Sequence, residues 1–193
     1  MDKIRPQLPR YFNGLALVGE SPGKTEIEQG YPFVGKSGQL LDTVLVETGI
    51  VRENCLISNV FMTRPEKDKI DTFFRAVAET DSEFINHYGL YRNRVVKTDL
   101  REDLGHLDAE FIAFRPKLIV LLGATALWRV TKNNGITNAR GEWIFTLVPG
   151  IGHMVGIMPT WHPSAVLRNR KEKLPEFVSD MKQVSEVLSG LQS

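Results

Sequence analysis

Glu20 and His162 stand out as the side chains placed to do chemistry. Each follows a short apolar run that reads as a buried strand. Leu15-Ala16-Leu17-Val18 precedes Gly19-Glu20-Ser21-Pro22-Gly23, and Val155-Gly156-Ile157-Met158 precedes Trp161-His162-Pro163-Ser164. In an open α/β sheet, ligands bind outside the carboxyl ends of the strands. The two loops therefore deliver a carboxylate and an imidazole to one rim. The first loop runs on to Gly30-Tyr31-Pro32-Phe33-Val34-Gly35, which adds an aromatic ring between glycines. An acid, a ring and an imidazole suit a reactive pocket for a flat ligand, read here as a nucleobase.

Other readings of these residues are weaker. Gly23-Lys24-Thr25 tempts a nucleotide-triphosphate loop, but the phosphate cradle needs four residues between its first glycine and the Gly-Lys pair. Only Glu20, Ser21 and Pro22 intervene here, and Val18 stands where that glycine would be. Taken alone, Glu20 could be a capping or solvated acid, Phe33 a core ring and His162 a satisfied core histidine. What separates Phe33 from core is its place in a loop between Gly30 and Gly35, where a ring can stack on something. The helix that follows could present N-terminal amides to a phosphate.

The elements that must position these groups follow from periodicity. Apolar runs of strand length alternate with helical patterns, which favours a parallel α/β layer structure. Strands are expected at 15–19, 55–60, 117–122, 143–148 and 155–159. A helix is expected from Ser37, read as its N-cap, with Leu40, Leu41, Val44 and Leu45 on one face and Gly49 as its stop. Others are expected over 102–114, from Gly123-Ala124-Thr125-Ala126-Leu127-Trp128 onward, and over about 174–190 with Phe177, Met181, Val184 and Leu188 inward. The charged stretch 66–98, with Phe73, Phe74, Phe84, Tyr88 and Tyr91, reads as one or two helices added to the sheet.

Composition bounds the rest. A chain of 193 residues, 42% hydrophobic and 24% charged, fits one domain with a full-sized core. No run approaches a membrane span, and Met1-Asp2-Lys3-Ile4-Arg5-Pro6 lacks the apolar stretch of a signal peptide, so a cytoplasmic location is expected. The single Cys55 excludes an internal disulfide and any site built from several thiolates. His87, His106, His153 and His162 show no zinc-like spacing, so neither metal nor cofactor is expected. Net charge is +1. It neither demands nor forbids nucleic acid, and the basic clusters Arg168-Asn169-Arg170-Lys171-Glu172-Lys173 and Arg92-Asn93-Arg94 read first as solvated surface.

Five segments, in order, carry a family resemblance: Gly19-Glu20-Ser21-Pro22-Gly23, Gly30-Tyr31-Pro32-Phe33-Val34-Gly35-Lys36-Ser37-Gly38, Ile57-Ser58-Asn59-Val60, Arg115-Pro116-Lys117-Leu118-Ile119-Val120 and Pro159-Thr160-Trp161-His162-Pro163-Ser164. The chain resembles uracil-DNA glycosylases, and among them the family-4 type, over roughly residues 13–65 and 100–185. The resemblance implies a three-layer α/β/α fold with a central, mostly parallel sheet of about four to five strands. It also implies one domain over 1–193 with an insertion at about 66–98. The chain departs from the family first in its cysteines. Family-4 enzymes carry four cysteines ligating a [4Fe–4S] cluster, whereas Thr63 stands here before Arg64-Pro65, so no cluster can form. The cluster's structural role is expected to fall to the insertion or to tighter packing. Ser21 stands where family-1 relatives place a catalytic Asp, which leaves Glu20 as the acid.

The resemblance implies hydrolysis of the N-glycosidic bond of uracil in DNA, after extrusion of the nucleotide. Glu20 and His162 would be catalytic. Phe33, Asn59 and Ser21 would bind the base, and Pro22, Gly23, Gly35, Ser37 and Ser164 would hold phosphates. Leu167 or Arg168 would fill the gap in the duplex. Glu26 matches an acidic family position, while Ile27 replaces the acid expected beside it and leaves Glu28 unassigned. The partner is then DNA containing uracil or a related pyrimidine, bound by a monomer away from any membrane. Two alternatives stay open: a glycosylase for a modified pyrimidine such as 5-hydroxymethyluracil, and a nucleobase-binding DNA protein with little turnover. His87 is the only histidine of the insertion available for covalent capture of the sugar.

Overall fold

The computed structural model describes residues 3–191. Its centre is a sheet of strands β1 (Leu15–Gly19), β2 (Leu56–Asn59), β5 (Leu118–Leu122), β6 (Ile144–Leu147) and β7 (Met154–Thr160). They lie in the order β2-β1-β5-β7-β6. The first four pair in parallel, and β6 closes one edge antiparallel to β7. A second, two-stranded sheet pairs β3 (Phe74–Arg75) with β4 (Val95–Val96). The strands expected from the sequence agree with the central sheet to within a residue or so at each end.

Strands β1, β2 and β5 are buried at every position. A parallel sheet is covered by helices on both faces, so such strands carry unbroken apolar runs. Alternate residues divide the interior into two cores. Ala16, Val18, Ile119, Leu121 and Ile157 face helix α4 (Arg101–Phe114) and helix α5 (Ala124–Thr131). Leu15, Leu17, Leu118, Val120 and Met158 face helix α2 (Lys36–Glu47), helix α7 (Pro163–Arg168) and helix α8 (Arg170–Gly190). The three layers α/β/α are thus built from opposite sides of the same strands.

Several expectations are corrected. Gly35, not Ser37, is the N-cap of α2, and Ser37 lies within the first turn. Helix α8 begins at Arg170 rather than near 174, because the Asn169 carbonyl accepts from the Lys173 amide and starts the turn earlier. The loop expected to carry His162 gives way at once to helix α7, which starts at Pro163. Segment 66–98 contains one short α-helix, α3 (Ser82–Tyr88), together with single 3-10 turns and the β3–β4 pair. Phe73, Phe74, Tyr91 and Val96 from this segment are buried in the first core, beside Phe61 and Trp128. Asp81 ties the segment together, accepting from Arg75 at 2.8 Å and from Arg101 at 2.6 Å.

The topology also determines where a ligand can sit. The chain leaves β1 toward β2 and leaves β5 toward β7, so the crevice beyond the ends of β1 and β5 is a topological switch point. Gly19 at the end of β1 pairs with Asn59 at the end of β2, and Leu122 at the end of β5 pairs with Thr160 at the end of β7. Glu20, Asn59 and His162 therefore emerge on one rim.

Candidate active site

A cleft of about 540 Å³ opens at this rim. Glu20, Ser21, Pro22 and Gly23 from the loop after β1, Phe33, Ser37, Asn59, His162, Ser164 and Arg168 all line it. Side chains up to 148 residues apart in sequence therefore share one wall. Gly35 and Leu167 are not among its lining residues. Leu167 borders a separate surface groove with Lys36, Gln39 and Arg170. His87 borders another depression with Asp108 and Arg129, away from the cleft.

Phe33 is held from two sides. Its backbone sits in the left-handed region at φ 54, an uncommon conformation for a residue with a side chain. Gly38, in the first turn of α2, lets that backbone approach closely: a Cβ at position 38 would lie 1.8 Å from the Phe33 carbonyl oxygen. The ring is buried and stands 5.8 Å from the His162 ring, centroid to centroid.

Helix α1 (Lys24–Gln29) supplies the residue that joins the two glycine-rich loops. Glu26 accepts from the amides of Gly23 at 3.2 Å, Val34 at 3.2 Å and Gly35 at 2.8 Å. This differs from the expectation that the Gly23 and Gly35 amides would hold phosphates, since a carboxylate of the chain already satisfies them. An anion among convergent backbone donors is favourable for the same reasons a phosphate would be. Glu28 lies outside this network, exposed and 3.7 Å from Lys24.

His162 is the N-cap of α7, and Pro163 occupies the first helical turn, where its missing N–H costs nothing. The Ser164 amide donates to His162 Nδ1 at 3.2 Å, and the Ser164 hydroxyl lies 2.8 Å from the same nitrogen. An accepting Nδ1 places the ring proton on Nε2. Burial, aided by the charge of Arg168, lowers the imidazole pKa to about 4. The ring is therefore neutral near pH 7 and carries one N–H to donate. Gly123, at φ 96, packs against it: a Cβ there would lie 2.9 Å from His162 Cβ.

Glu20 is half-buried at the same rim. Burial pushes its carboxyl pKa up, while a hydrogen bond from Thr125 and the charges of Arg92 and Arg168 pull it back; Asp71 pushes it up again. Thr125 Oγ1 donates to Glu20 Oε2. Tyr91 Oη lies 3.4 Å from Thr125 Oγ1. Neither Thr125 nor Tyr91 was singled out from the sequence. Only the position of Thr125 just beyond the end of β5, at the switch point, could have flagged it. The residues by which the insertion lines the cleft, Asp68, Lys69, Ile70 and Asp71, were not named from the sequence; with Pro65 and Glu26 they form its remaining wall.

Residues 9–184 match the family model described as the uracil DNA glycosylase superfamily. The chain belongs to the uracil-DNA glycosylase superfamily. It is 36% identical over 167 residues to a type-4 uracil-DNA glycosylase of Thermotoga maritima, covering 85% of this chain and 71% of that protein. It is 30% identical over 176 residues to a type-4 uracil-DNA glycosylase of Archaeoglobus fulgidus, covering 90% and 76%. A third, from Pyrobaculum aerophilum, is 28% identical over 160 residues, covering 80% and 68%. The fold and family expected from the five segments are thus those found, and members of the superfamily are hydrolases of N-glycosyl bonds.

The thiols of this chain decide whether it can hold a cluster. Cys55 is its one cysteine and is buried, so no thiolate-ligated iron–sulfur cluster can assemble on it. Around Thr63 the chain is tied by a buried carboxylate. Asp103 on α4, itself buried, accepts from the Met62 amide at 3.1 Å and the Thr63 amide at 3.0 Å, and Lys3 lies 2.8 Å from its other oxygen. Among the described residues no group of three or more His, Cys, Asp or Glu could hold a metal ion, and no helix is long and apolar enough to cross a membrane.

Proposed function

We propose that this protein excises uracil from DNA, hydrolysing the bond between the base and C1′ of a nucleotide flipped into the cleft. The observation that carries the reading is the convergence of Glu20, Phe33, Asn59 and His162 on one cavity at the sheet's switch point. The names of the relatives support the choice of base.

Phe33 stacks on the extruded pyrimidine, and the Asn59 amide, with both a donor and an acceptor, pairs with O4 and N3–H of uracil. Cytosine presents an amino group at position 4 and no N3–H, and the resulting buried mismatch costs about 1–3 kcal/mol. As the glycosidic bond lengthens, positive charge grows on the sugar and negative charge on the base. Glu20 stabilises the cation and aims a water at C1′. The Nε2–H of neutral His162 donates to O2 of the departing base, and a preorganised donor of this kind contributes roughly 3–4 kcal/mol. Ser37, Ser164 and Arg168 hold the flanking phosphates, with Arg168 or Leu167 filling the vacated stack.

A second reading keeps the chemistry and changes the base to a modified pyrimidine. It is favoured by the cleft wall that the insertion contributes through Asp68, Lys69, Ile70 and Asp71. The deciding experiment is strand cleavage, after alkali, of single- and double-stranded oligonucleotides bearing uracil, 5-hydroxymethyluracil or cytosine. Release of uracil with cytosine untouched is expected. Silence on uracil with release of 5-hydroxymethyluracil would replace the first reading by the second. Silence on all bases, with tight binding to uracil-bearing DNA, would overturn both.

A further inference from the structure

The insertion reaches the acid of the cleft through a pair of hydroxyls. Tyr91 is 2% exposed, its ring stacked on Phe74 at 4.6 Å and tilted against Trp128 at 5.5 Å. Packing therefore sets the place of its hydroxyl. That hydroxyl lies 3.4 Å from Thr125 Oγ1, and Thr125, fully buried in the first turn of α5, donates to Glu20. A threonine hydroxyl has one proton and two lone pairs. With that proton committed to the carboxylate, Tyr91 must be the donor to the threonine oxygen. The three groups then form an ordered chain from Tyr91 through Thr125 to Glu20, in which each donor polarises the next.

We propose that Tyr91 and Thr125 are positioning residues for Glu20: the insertion, through Tyr91, completes a hydroxyl relay that holds one carboxylate oxygen and leaves the other to the cleft. The inference rests on the glycosylase reading, in which Glu20 is the reactive acid. The need for such a relay is physical. Desolvation favours the neutral acid, whereas stabilising a cationic sugar requires the anion. The charged groups facing Glu20 are Arg92 and Asp71 from the insertion and Arg168 from α7, the arginines favouring the anion and Asp71 opposing it. His162 shares the cleft as a neutral ring. Arg92 and Arg168 are exposed, so salt screens them, whereas a buried hydroxyl contact is screened far less.

The test uses Tyr91→Phe, Thr125→Val and Thr125→Ser in the full chain. Glu20 is titrated directly by carbon NMR with carboxyl-labelled glutamate, its signal assigned by its loss in Glu20→Gln. The single-turnover rate of uracil release is followed against pH in parallel. Thr125→Val is expected to raise the Glu20 pKa by about one unit and Tyr91→Phe by about half a unit. Thr125→Ser, which restores the hydroxyl, should titrate as the unaltered protein does. On the acid limb the rate should fall about tenfold and threefold respectively, converging with the unaltered protein by pH 9. The melting temperature of Tyr91→Phe should stay unchanged, since the ring packing is kept. Identical Glu20 titrations in all four proteins would overturn the relay. A protein silent on uracil whose Glu20 titration still shifts would support the relay and count against the glycosylase reading alone.

Discussion

The ring of Phe33 occupies the space that a side chain on Gly19 would need. A Cβ at position 19 would lie 2.4 Å from Phe33 Cζ and 2.4 Å from Asn59 Oδ1. Gly19 also pairs with Asn59 across β1 and β2 and immediately precedes Glu20. The missing side chain is therefore what allows the Phe33 ring and the Asn59 amide to meet beside Glu20.

Gly19→Ala should displace both partners of that contact. Overpacking of this kind costs about 1–3 kcal/mol, and a misplaced site loses on the order of a hundredfold in rate. Gly105 provides the contrast. It lies on the exposed face of α4 with nothing near its would-be side chain, so Gly105→Ala should gain about 1 kcal/mol and leave activity alone. Urea unfolding midpoints and uracil release for the two variants check both signs.

The neutral state of His162 predicts a particular pH behaviour. With its pKa lowered to about 4 and Nδ1 accepting from Ser164, the ring keeps its Nε2–H throughout the range above about pH 5. Its own titration should therefore leave no inflection between pH 6 and 9. His162→Ala should lower the single-turnover rate by about a hundredfold or more while DNA binding persists. Glu20→Gln should do the same, but there the acid limb of the profile should disappear. An inflection near pH 6.5 that vanishes in His162→Ala would contradict the assigned tautomer and charge.

What could be read from the chain, and what could not, divides along physical lines. The strand ends were legible as apolar runs of strand length; Glu20 and His162 follow such runs, Phe33 stands between Gly30 and Gly35, and Asn59 was reached through the family segment Ile57-Ser58-Asn59-Val60. Helix α7 escaped because Pro163 was taken as a loop residue, although proline in the first turn lacks only an N–H that has no helical partner there. The insertion escaped because two-residue strands carry no period, and its aromatic residues find their places only against Phe61 and Trp128. Thr125 escaped because its partner Glu20 is 105 residues away, and a single hydroxyl among apolar helix residues gives no pattern.

Glu26 supports the site without facing the chemistry in the way Glu20 does. Its carboxylate closes three amides from both glycine-rich loops. Glu26→Gln keeps the size but offers a single, uncharged acceptor oxygen, and each bond to an ionised group is worth about 1.5–3 kcal/mol. A loss of about 2 kcal/mol in stability is expected, with faster hydrogen exchange at the Gly23, Val34 and Gly35 amides. Because Phe33 precedes this anchored stretch, KM for uracil-bearing DNA should rise more than kcat falls. Exchange rates equal to those of the unaltered protein at all three amides would remove the anchoring role.

Glu110 lies far from any such partnership. It sits on α4 against the sheet, buried, with neither carboxyl oxygen in a hydrogen bond of normal geometry. Burial pushes its pKa from 4.5 up to about 7, and the Ser58 hydroxyl opposes this only in part. Below about pH 4.5 the group is neutral in both folded and unfolded chains and has no effect on stability. Between that pH and about 7 the unfolded chain releases the proton while the folded one keeps it, so stability falls as pH rises. Above 7 both are charged and the cost levels off, at about 3 kcal/mol for a shift of this size. Glu110→Gln should therefore flatten this part of the stability profile, matching the unaltered protein near pH 4.5 and exceeding it by about 2 kcal/mol at pH 8, after allowance for burying an amide. Urea unfolding across that range measures the difference. A constant gap between the two proteins at every pH would show that Glu110 does not titrate across this window, and that packing alone accounts for the change.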